Sequence, residues 1–289
     1  MTVDGFLCVN KPRGPSSFQI IDQLRRILHI KKIGHAGTLD PQASGLLLIA
    51  IGNATRLLQY IPGEPKTYQF GIHFGSQTDT LDSEGEVVYS GGRVPDQLSV
   101  YNILKNYCGK IMQVPPAYSA IRVNGVRAYK MARSGIEPEL HSREIEIYSI
   151  GLLDYDQTLA QAQIQVTCSG GTYVRSLARD ISIDLGTYGF ASFVHRIGIG
   201  AFDIENAISA DQLNDAEKNI IPLRKIFTNN VLSITEEQKA DVLYGRDLTL
   251  PNIDTDRVFA FCGEEFVAVL NRVTVSLFHP ATVLTGNCR

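Results

Sequence analysis

A glycine-rich loop running straight into an unbroken apolar strand constrains this chain more than any other feature. The stretch Gly34-His35-Ala36-Gly37-Thr38-Leu39-Asp40-Pro41-Gln42-Ala43-Ser44-Gly45 holds three glycines, a proline and two hydroxyl residues, the composition of a turn-rich loop. Leu46-Leu47-Leu48-Ile49-Ala50-Ile51 follows directly and reads as a buried strand. Gly37 and Gly45 let the backbone bend closely around Asp40, while Pro41 biases Asp40 towards an extended conformation and fixes its own φ. One carboxylate is thus held at the edge of a rigid sheet. Taken alone, an Asp-Pro in such a loop is a turn, so its meaning depends on the rest of the chain.

The 289 residues suffice for one large domain plus a small one, and 44% hydrophobic residues supply an ample core. Cysteines at 8, 108, 168, 262 and 288 are odd in number and form no Cys-x-x-Cys pair. That pattern argues against a disulfide framework or a zinc site and fits core or surface thiols in a reducing compartment. No run approaches the roughly 20 apolar residues of a membrane helix, and the N-terminus lacks the basic-then-apolar form of a signal peptide. The expectation is a soluble, cytoplasmic monomer with no membrane contact.

A net charge of −3 does not suggest a nucleic-acid binder, so the distribution matters more than the sum, with an ordinary solvated surface of uneven charge as the alternative to a basic binding face. Residues 97–136 carry six bases (Lys105, Lys110, Arg122, Arg127, Lys130, Arg133) and no acid, with Tyr101, Tyr107, Tyr118 and Tyr129 interleaved. Residues 1–35 carry six bases against two acids, whereas 203–265 carry thirteen acids against six bases. A basic face is hidden in the sum by an acidic C-terminal part.

Periodicity gives an α/β (α+β) mixture dominated by strands. A short strand is expected at 5–9 and a helix at 17–30, capped by Ser16 or Ser17, with Ile20, Ile21, Leu24, Ile27 and Leu28 on one face. Further strands are expected at 46–52, 67–75, 84–89, 117–123, 143–153 and 160–168. In the last of these Ala160, Ala162, Ile164, Val166 and Cys168 alternate with Gln161, Gln163, Gln165 and Thr167, the pattern of a half-buried strand. Asn124-Gly125 signals a tight turn, followed by a short helix at 126–133. Other helices are expected at 96–107, 174–186 and 235–244. Thr228-Asn229-Asn230 marks a boundary, so domains are expected at 1–230 and 231–289, the second with strands at 258–262, 265–270 and 274–277.

Six motifs then occur in one order. They are Val9-Asn10-Lys11-Pro12-Arg13-Gly14-Pro15-Ser16-Ser17, the block from His35 to Gly45, Lys66-Thr67-Tyr68, Gly75-Ser76-Gln77-Thr78-Asp79-Thr80-Leu81-Asp82, Gln113-Val114-Pro115-Pro116-Ala117-Tyr118-Ser119-Ala120, and Gly170-Gly171-Thr172-Tyr173-Val174-Arg175-Ser176-Leu177. Over roughly residues 5 to 205 the chain resembles the tRNA pseudouridine-55 synthases, the TruB branch of the pseudouridine synthases. It departs at Val194-His195-Arg196, where that family commonly has Leu-Arg-Arg. Residues 231–289, with Ile234-Thr235-Glu236-Glu237-Gln238 and Gly245, resemble more weakly the small β-barrel called PUA. The resemblance implies a mixed, mainly antiparallel sheet with flanking helices and a small C-terminal barrel.

It also implies a chemistry. Turning uridine into pseudouridine breaks the N-glycosidic bond, rotates the base and joins C5 to the sugar, with no net redox change, so neither cofactor nor metal is expected. It does require a carboxylate beside the sugar. By resemblance this is Asp40, kept ionised by Arg175, with Asp82 holding the arginine. Tyr68 is expected to stack on the base and to take the C5 proton. Tyr173 would line the same pocket and Lys11 would support its wall. His35 is expected to enter the space left by the extruded base, and Arg122, Arg127, Lys130, Arg133 and Arg196 to hold RNA. The implied partner is the T-loop of tRNA, with no obligate protein partner. A non-catalytic RNA-binding or tRNA-folding protein on the same fold is the alternative, and a sugar hydrolase is disfavoured by the lack of a paired acid in a comparable motif.

Overall fold

The structure, a computed structural model, describes residues 4–284. Cys288 and the end of the expected 231–289 domain lie outside the described residues. The chain begins with β1 (Gly5–Lys11), α1 (Ser17–Leu28), β2 (Ile33–Ala36), β3 (Ser44–Ile51) and β4 (Lys66–Phe74). A small hairpin, β5 (Ser76–Thr78) and β6 (Val87–Ser90), precedes α2 (Gln97–Leu104) and β7 (Gly109–Gln113). The short strands β8 (Arg122–Val123) and β9 (Val126–Arg127) lead into α3 (Ala128–Arg133). Then come β10 (Arg143–Asp156), β11 (Gln161–Cys168), α4 (Val174–Asp184) and β12 (Gly189–Ile199). Three two-residue strands, β13 (Phe202–Asp203), β14 (Ile208–Ser209) and β15 (Ile221–Pro222), precede α5 (Leu223–Ile226). The last stretch holds β16 (Val231–Ser233), α6 (Glu236–Leu243), β17 (Leu248–Thr249), β18 (Arg257–Cys262), β19 (Glu265–Arg272) and β20 (Leu277–Val283).

Eleven strands form one sheet whose main path is β14-β1-β3-β12-β4-β11-β10-β7. Its pairings are antiparallel except β1 with β14 and β3 with β12, the mixed, mainly antiparallel arrangement expected. β16 to β20 form a separate curled sheet, consistent with the PUA-like part.

The two ends of the main sheet are built differently. In β3, Leu47, Ile49 and Ile51 face Ile20, Ile21 and Leu24 of α1, whose Ser16 forms a capping box with Gln19. Leu46, Leu48 and Ala50 face the other way and share a cluster with Phe261, Phe266 and Val269 of the C-terminal sheet. A strand covered on both faces has no polar alternation to show, which explains its continuous apolar run. In β4 and β11, by contrast, Phe70, Ile72, Ile164 and Val166 pack under α2 and α4 through Val100, Leu104, Leu177 and Ile181. The reverse face carries cross-strand pairs, Thr67 to Thr167 and Gln69 to Gln165, each at 3.2 Å.

Some expectations are corrected. The strand expected at 117–123 shrinks to Arg122–Val123, because Pro115-Pro116 cannot supply ladder N–H groups and the residues that follow make contacts at the site instead. Residues 274–276 are a turn, and the last strand is Leu277–Val283. Gly34, His35 and Ala36 belong to strand β2, not to a loop. β2, β7 and β12 were not expected. In β12, bulges between Ala191 and Phe193 and between Arg196 and Gly198 break the period of two.

Candidate active site

The loop between β2 and β3 emerges where these strands meet β12. β3 has β1 on one side, while its other side is shared by β2 at Leu48–Ile51 and β12 at Ser44 and Gly45. Gly45 has φ +104°, and a Cβ there would lie 2.2 Å from the carbonyl oxygen of Arg196. Only glycine permits this approach. The loop is then pinned from three directions. Ser17, at the start of α1, exchanges two hydrogen bonds of 2.9 Å with the backbone of Leu39. Lys11 is fully buried, and its Nζ donates to the carbonyls of Pro12, Pro15 and Pro41 at 2.9, 2.8 and 3.4 Å. Arg196 is 1% exposed and donates from Nε to Leu46 at 2.8 Å and from Nη2 to Gly37 at 3.1 Å.

Asp40 is thereby presented to Arg175, which stands in the first turn of α4. Nη2 of Arg175 donates to Oδ2 of Asp40 at 2.7 Å and to the carbonyl of Tyr118 at 2.9 Å. Nη1 donates to the carbonyl of Thr80 at 2.7 Å and to Oδ2 of Asp82 at 3.3 Å. The other carboxylate oxygen of Asp82 accepts from Thr80 Oγ1 at 2.6 Å and from the Glu84 N–H at 3.1 Å. Four acceptors fix the plane of one buried guanidinium, which is the geometric use to which arginine is suited. The Asp40 side chain remains about half exposed, at 49%, whereas that of Asp82 is 12% exposed. One carboxylate is open to a ligand and the other is scaffolding.

In front of Asp40 lies a cavity of about 310 Å³. Tyr68, Tyr173, Arg143, Lys66, Ser119 and Arg196 are among its walls. Tyr68 is 8% exposed, and burial raises its phenol pKa, an effect the charge of Arg196 partly offsets. The hydroxyl therefore keeps its proton at neutral pH. The backbone of Tyr173 is held at both ends by Gln113, whose Oε1 accepts from the Tyr173 N–H at 2.8 Å and whose Nε2 donates to its carbonyl at 3.1 Å. The Arg143 guanidinium lies 4.7 Å from the centroid of the Tyr173 ring, a cation–π contact. Burial and the Arg196 charge lower the pKa of Lys66, and burial lowers that of Lys11 to about 8 despite the nearby Asp40 carboxylate. Lys11 holds the wall from behind and does not line the cavity.

His35, in β2, pairs with Ile49 of β3, its Nδ1 is buried without a hydrogen-bond partner, and burial together with Arg196 lowers its pKa, so the ring is neutral at pH 7. Arg196, expected to hold RNA, is an interior residue that lines the cavity and pins the loop. Arg122, Arg127, Lys130 and Arg133 are exposed on and beside the β8–β9 hairpin, away from the cavity lining. Tyr107, counted with the basic segment, is buried and donates to Asp184 at 2.7 Å. His195, at the departure from the family pattern, pairs with Ser44 Oγ at 2.8 Å, and burial lowers its pKa.

Sequence reasoning assigned no role to Arg13, Lys66, Gln113, Ser119 or Arg143. Arg13 joins Gln42 and Ser83, two cavity residues, at 2.5 and 2.8 Å. The hydroxyl of Ser119 is buried in the cavity wall without a partner, as is Nε of Arg143. The first four stand inside motifs, which is the signal that could have found them, whereas Arg143 stands in none. Among the described residues no cluster of three or more His, Cys, Asp or Glu could hold a metal ion. No helix there is long and apolar enough to cross a membrane. Cys8 and Cys168 are buried thiols whose pKa burial raises to about 11.

Comparison with known proteins agrees with this layout. A tRNA pseudouridine synthase B of Rickettsia bellii is 42% identical over 247 residues, covering 83% of this chain and 84% of that protein. One of Ehrlichia ruminantium is 41% identical over 225 residues, 76% of each chain. Among solved structures, a chain of a Cbf5-Nop10-Gar1 complex superposes with TM-score 0.70 at 26% identity, covering 94% of this chain and 79% of that one. The profile for the TruB family pseudouridylate synthase (N terminal domain) matches residues 25–174, a span that holds the Asp40 loop, Tyr68, Asp82 and the entry to α4. With the motifs, the relatives and the fold in agreement, the chain belongs to the TruB family of pseudouridylate synthases.

Proposed function

We propose that this protein isomerises the T-loop uridine of tRNA, position 55, to pseudouridine, with Asp40 as the catalytic carboxylate and no cofactor. The observation that carries the proposal is the half-exposed Asp40, fixed by a buried Arg175 at the mouth of a cavity of about 310 Å³. That volume is near the lower end of the about 300–1,000 Å³ typical of ligand pockets and suits one extruded nucleotide. The names of the relatives, tRNA pseudouridine synthase B, support tRNA as the substrate.

The reaction places C1′ of the flipped uridine against Asp40. The carboxylate either bonds to C1′ as the C1′–N1 bond breaks, or takes a proton from C2′ to give a glycal. The freed uracil turns between the walls; C5 bonds to C1′ as the C1′–carboxylate bond breaks or, on the glycal route, as Asp40 returns the proton to C2′, and the C5 proton leaves to solvent while N1 takes one up. Tyr68 lines the cavity and holds its own proton at neutral pH, so it takes up the C5 proton only as it gives its own to solvent. Extruding a base costs a few kcal/mol of stacking, least for a loop nucleotide. Arg122, Arg127, Lys130 and Arg133 would meet phosphates outside the cavity. We assign catalysis to residues 1–230 and a PUA-like unit packed against them to 231–289, and place the protein in the cytoplasm as a monomer.

The test is tritium release from a T-arm hairpin carrying 5-tritiated uridine. Wild-type protein should release tritium in step with pseudouridine formed, and replacing the T-loop uridine by cytidine should stop it. Chelation should leave the rate unchanged. Protein that binds and folds tRNA yet releases no tritium is an RNA-folding protein on this fold, and the catalytic proposal is then wrong.

A further inference from the structure

Tyr118 is bound at both ends. Its carbonyl accepts from Nη2 of Arg175 at 2.9 Å, and its hydroxyl donates to Oδ2 of Asp79 at 2.9 Å. The first contact involves the same nitrogen that donates to Asp40. One N–H of Nη2 thus aims at the catalytic carboxylate, and the carbonyl of a residue outside any helix or strand fixes the direction of the other. What fixes that residue is Asp79.

The position of Asp79 is itself built. Its Oδ1 accepts from the Glu86 N–H at 3.0 Å, while its own N–H donates to the Glu86 carbonyl at 3.0 Å. A Cβ on Gly85 would lie 2.2 Å from Oδ1 of Asp79 and 2.4 Å from Thr80 Oγ1, so a glycine leaves room for the carboxylate. Leu81, with φ +62°, turns the loop so that Thr80 and Asp82 reach Arg175 directly. Asp79 reaches the same guanidinium from its other side, through Tyr118. One short loop therefore holds both nitrogens of one arginine.

The tethered segment is anchored at its start, where the Val114 carbonyl accepts from Ser176 Oγ and from Arg179 Nη2 of α4, each at 2.9 Å, and Pro115 and Pro116 are buried. Between β7 and β8 it contains Pro115-Pro116 and forms no ladder. Its backbone is joined to the start of α3 by the Tyr129 N–H to the Ser119 carbonyl at 3.0 Å and the Ala128 N–H to the Ile121 carbonyl at 2.8 Å. It also carries Ser119, a residue of the cavity wall whose hydroxyl is buried without a hydrogen-bond partner.

We propose that Asp79 is a positioning residue, latching residues 117–120 over the cavity through the Tyr118 hydroxyl, so that Arg175 is aimed at Asp40. The proposal rests on the functional reading above, and two measurements separate them. Hydrogen–deuterium exchange reports the latch without reference to activity. In Tyr118→Phe and in Asp79→Ala, amides of residues 114–131 should exchange about tenfold faster, as expected for losing one hydrogen bond to a charged group, while those of β4 are unchanged. Steady-state turnover on tRNA reports the positioning. For Tyr118→Phe, kcat should fall about tenfold with KM within about threefold, and the double variant should be no slower than Asp79→Ala alone. Unchanged exchange overturns the latch. Accelerated exchange with kcat intact, or with KM alone raised, overturns the positioning role. Wild-type protein with no turnover on tRNA instead overturns the functional reading, and the positioning role with it.

Discussion

Two sets of cations in this protein differ in how they are held. Lys11, Arg175 and Arg196 are buried, and each makes hydrogen bonds to two or more backbone or carboxylate oxygens. Arg122, Arg127 and Lys130 are exposed, and among the described residues their side chains make no hydrogen bond or ion pair. Arg133 only lies over the Tyr129 ring, at 5.7 Å. The inner set has paid its desolvation and is rigid, so removing one member leaves buried acceptors or a carboxylate uncompensated. The outer set stays hydrated, and any phosphate it met would be bound through counterion release. Equal charges in one chain therefore belong to different physics.

The comparison is broken hardest at its centre. Asp40→Asn should lower the single-turnover rate by about 10⁴-fold or more while tRNA affinity stays within about tenfold, because charge rather than bulk is lost at the sugar. A residual rate near wild type removes Asp40 from the reaction. Arg175→Met keeps a similar stem without the charge or the fork, and should cost about 10³-fold in the same rate. A loss of only a few fold would mean that the inner set does not aim the carboxylate. Lys11→Met leaves three carbonyls without their donor and should destabilise the fold by about 3 kcal/mol, read in chemical denaturation.

Smaller effects sharpen the contrast. Arg127→Ala with Lys130→Ala should weaken tRNA binding and flatten its log–log salt dependence, by at most about one unit for each phosphate no longer neutralised, with the rate at saturation unchanged. A change in saturating rate would move these residues to the inner set. The last effect is the pH response of Lys11. Its pKa falls from 10.5 to about 8 on folding, so between these values the unfolded chain binds more protons at this site. Burying the charged amine is unfavourable below pH 8, and the penalty is relieved as pH rises towards 10.5. The stability difference between wild type and Lys11→Met should therefore grow with pH across that window, and a flat difference would refute it.

How much of this was legible depended on whether local pattern and tertiary role coincided. β3 and α1 could be read because their apolar residues report directly which faces are covered. Asn124 and Gly125 both have positive φ, as their tight turn demands. β12 escaped because two bulges erase its alternation, and with it went the interior place of Arg196, whose type suggests a surface. The meeting of Asp40, Asp82 and Arg175 was reached through motif resemblance. Nothing in the spacing of three residues 42 and 93 positions apart says that they touch. Tyr118 and Asp79 lay in quoted motifs, but a bond between a hydroxyl in one and a carboxylate in the other has no signature in either.

The apolar layer beneath β3 is drawn from both ends of the sequence, with Phe6, Cys8 and Leu46 meeting Phe261, Phe266 and Val269. Tyr60 adds a hydrogen bond to Thr282 at 2.7 Å, and Arg56 another to the Val283 carbonyl. The C-terminal sheet is thus the missing wall of the first, not a detachable appendage. A chain cut at residue 230 would present Leu46, Leu48 and Ala50 to water and tend to aggregate. Heated intact, the protein should melt in a single cooperative transition, since the strand that leads out of the Asp40 loop cannot lose its cover and stay folded.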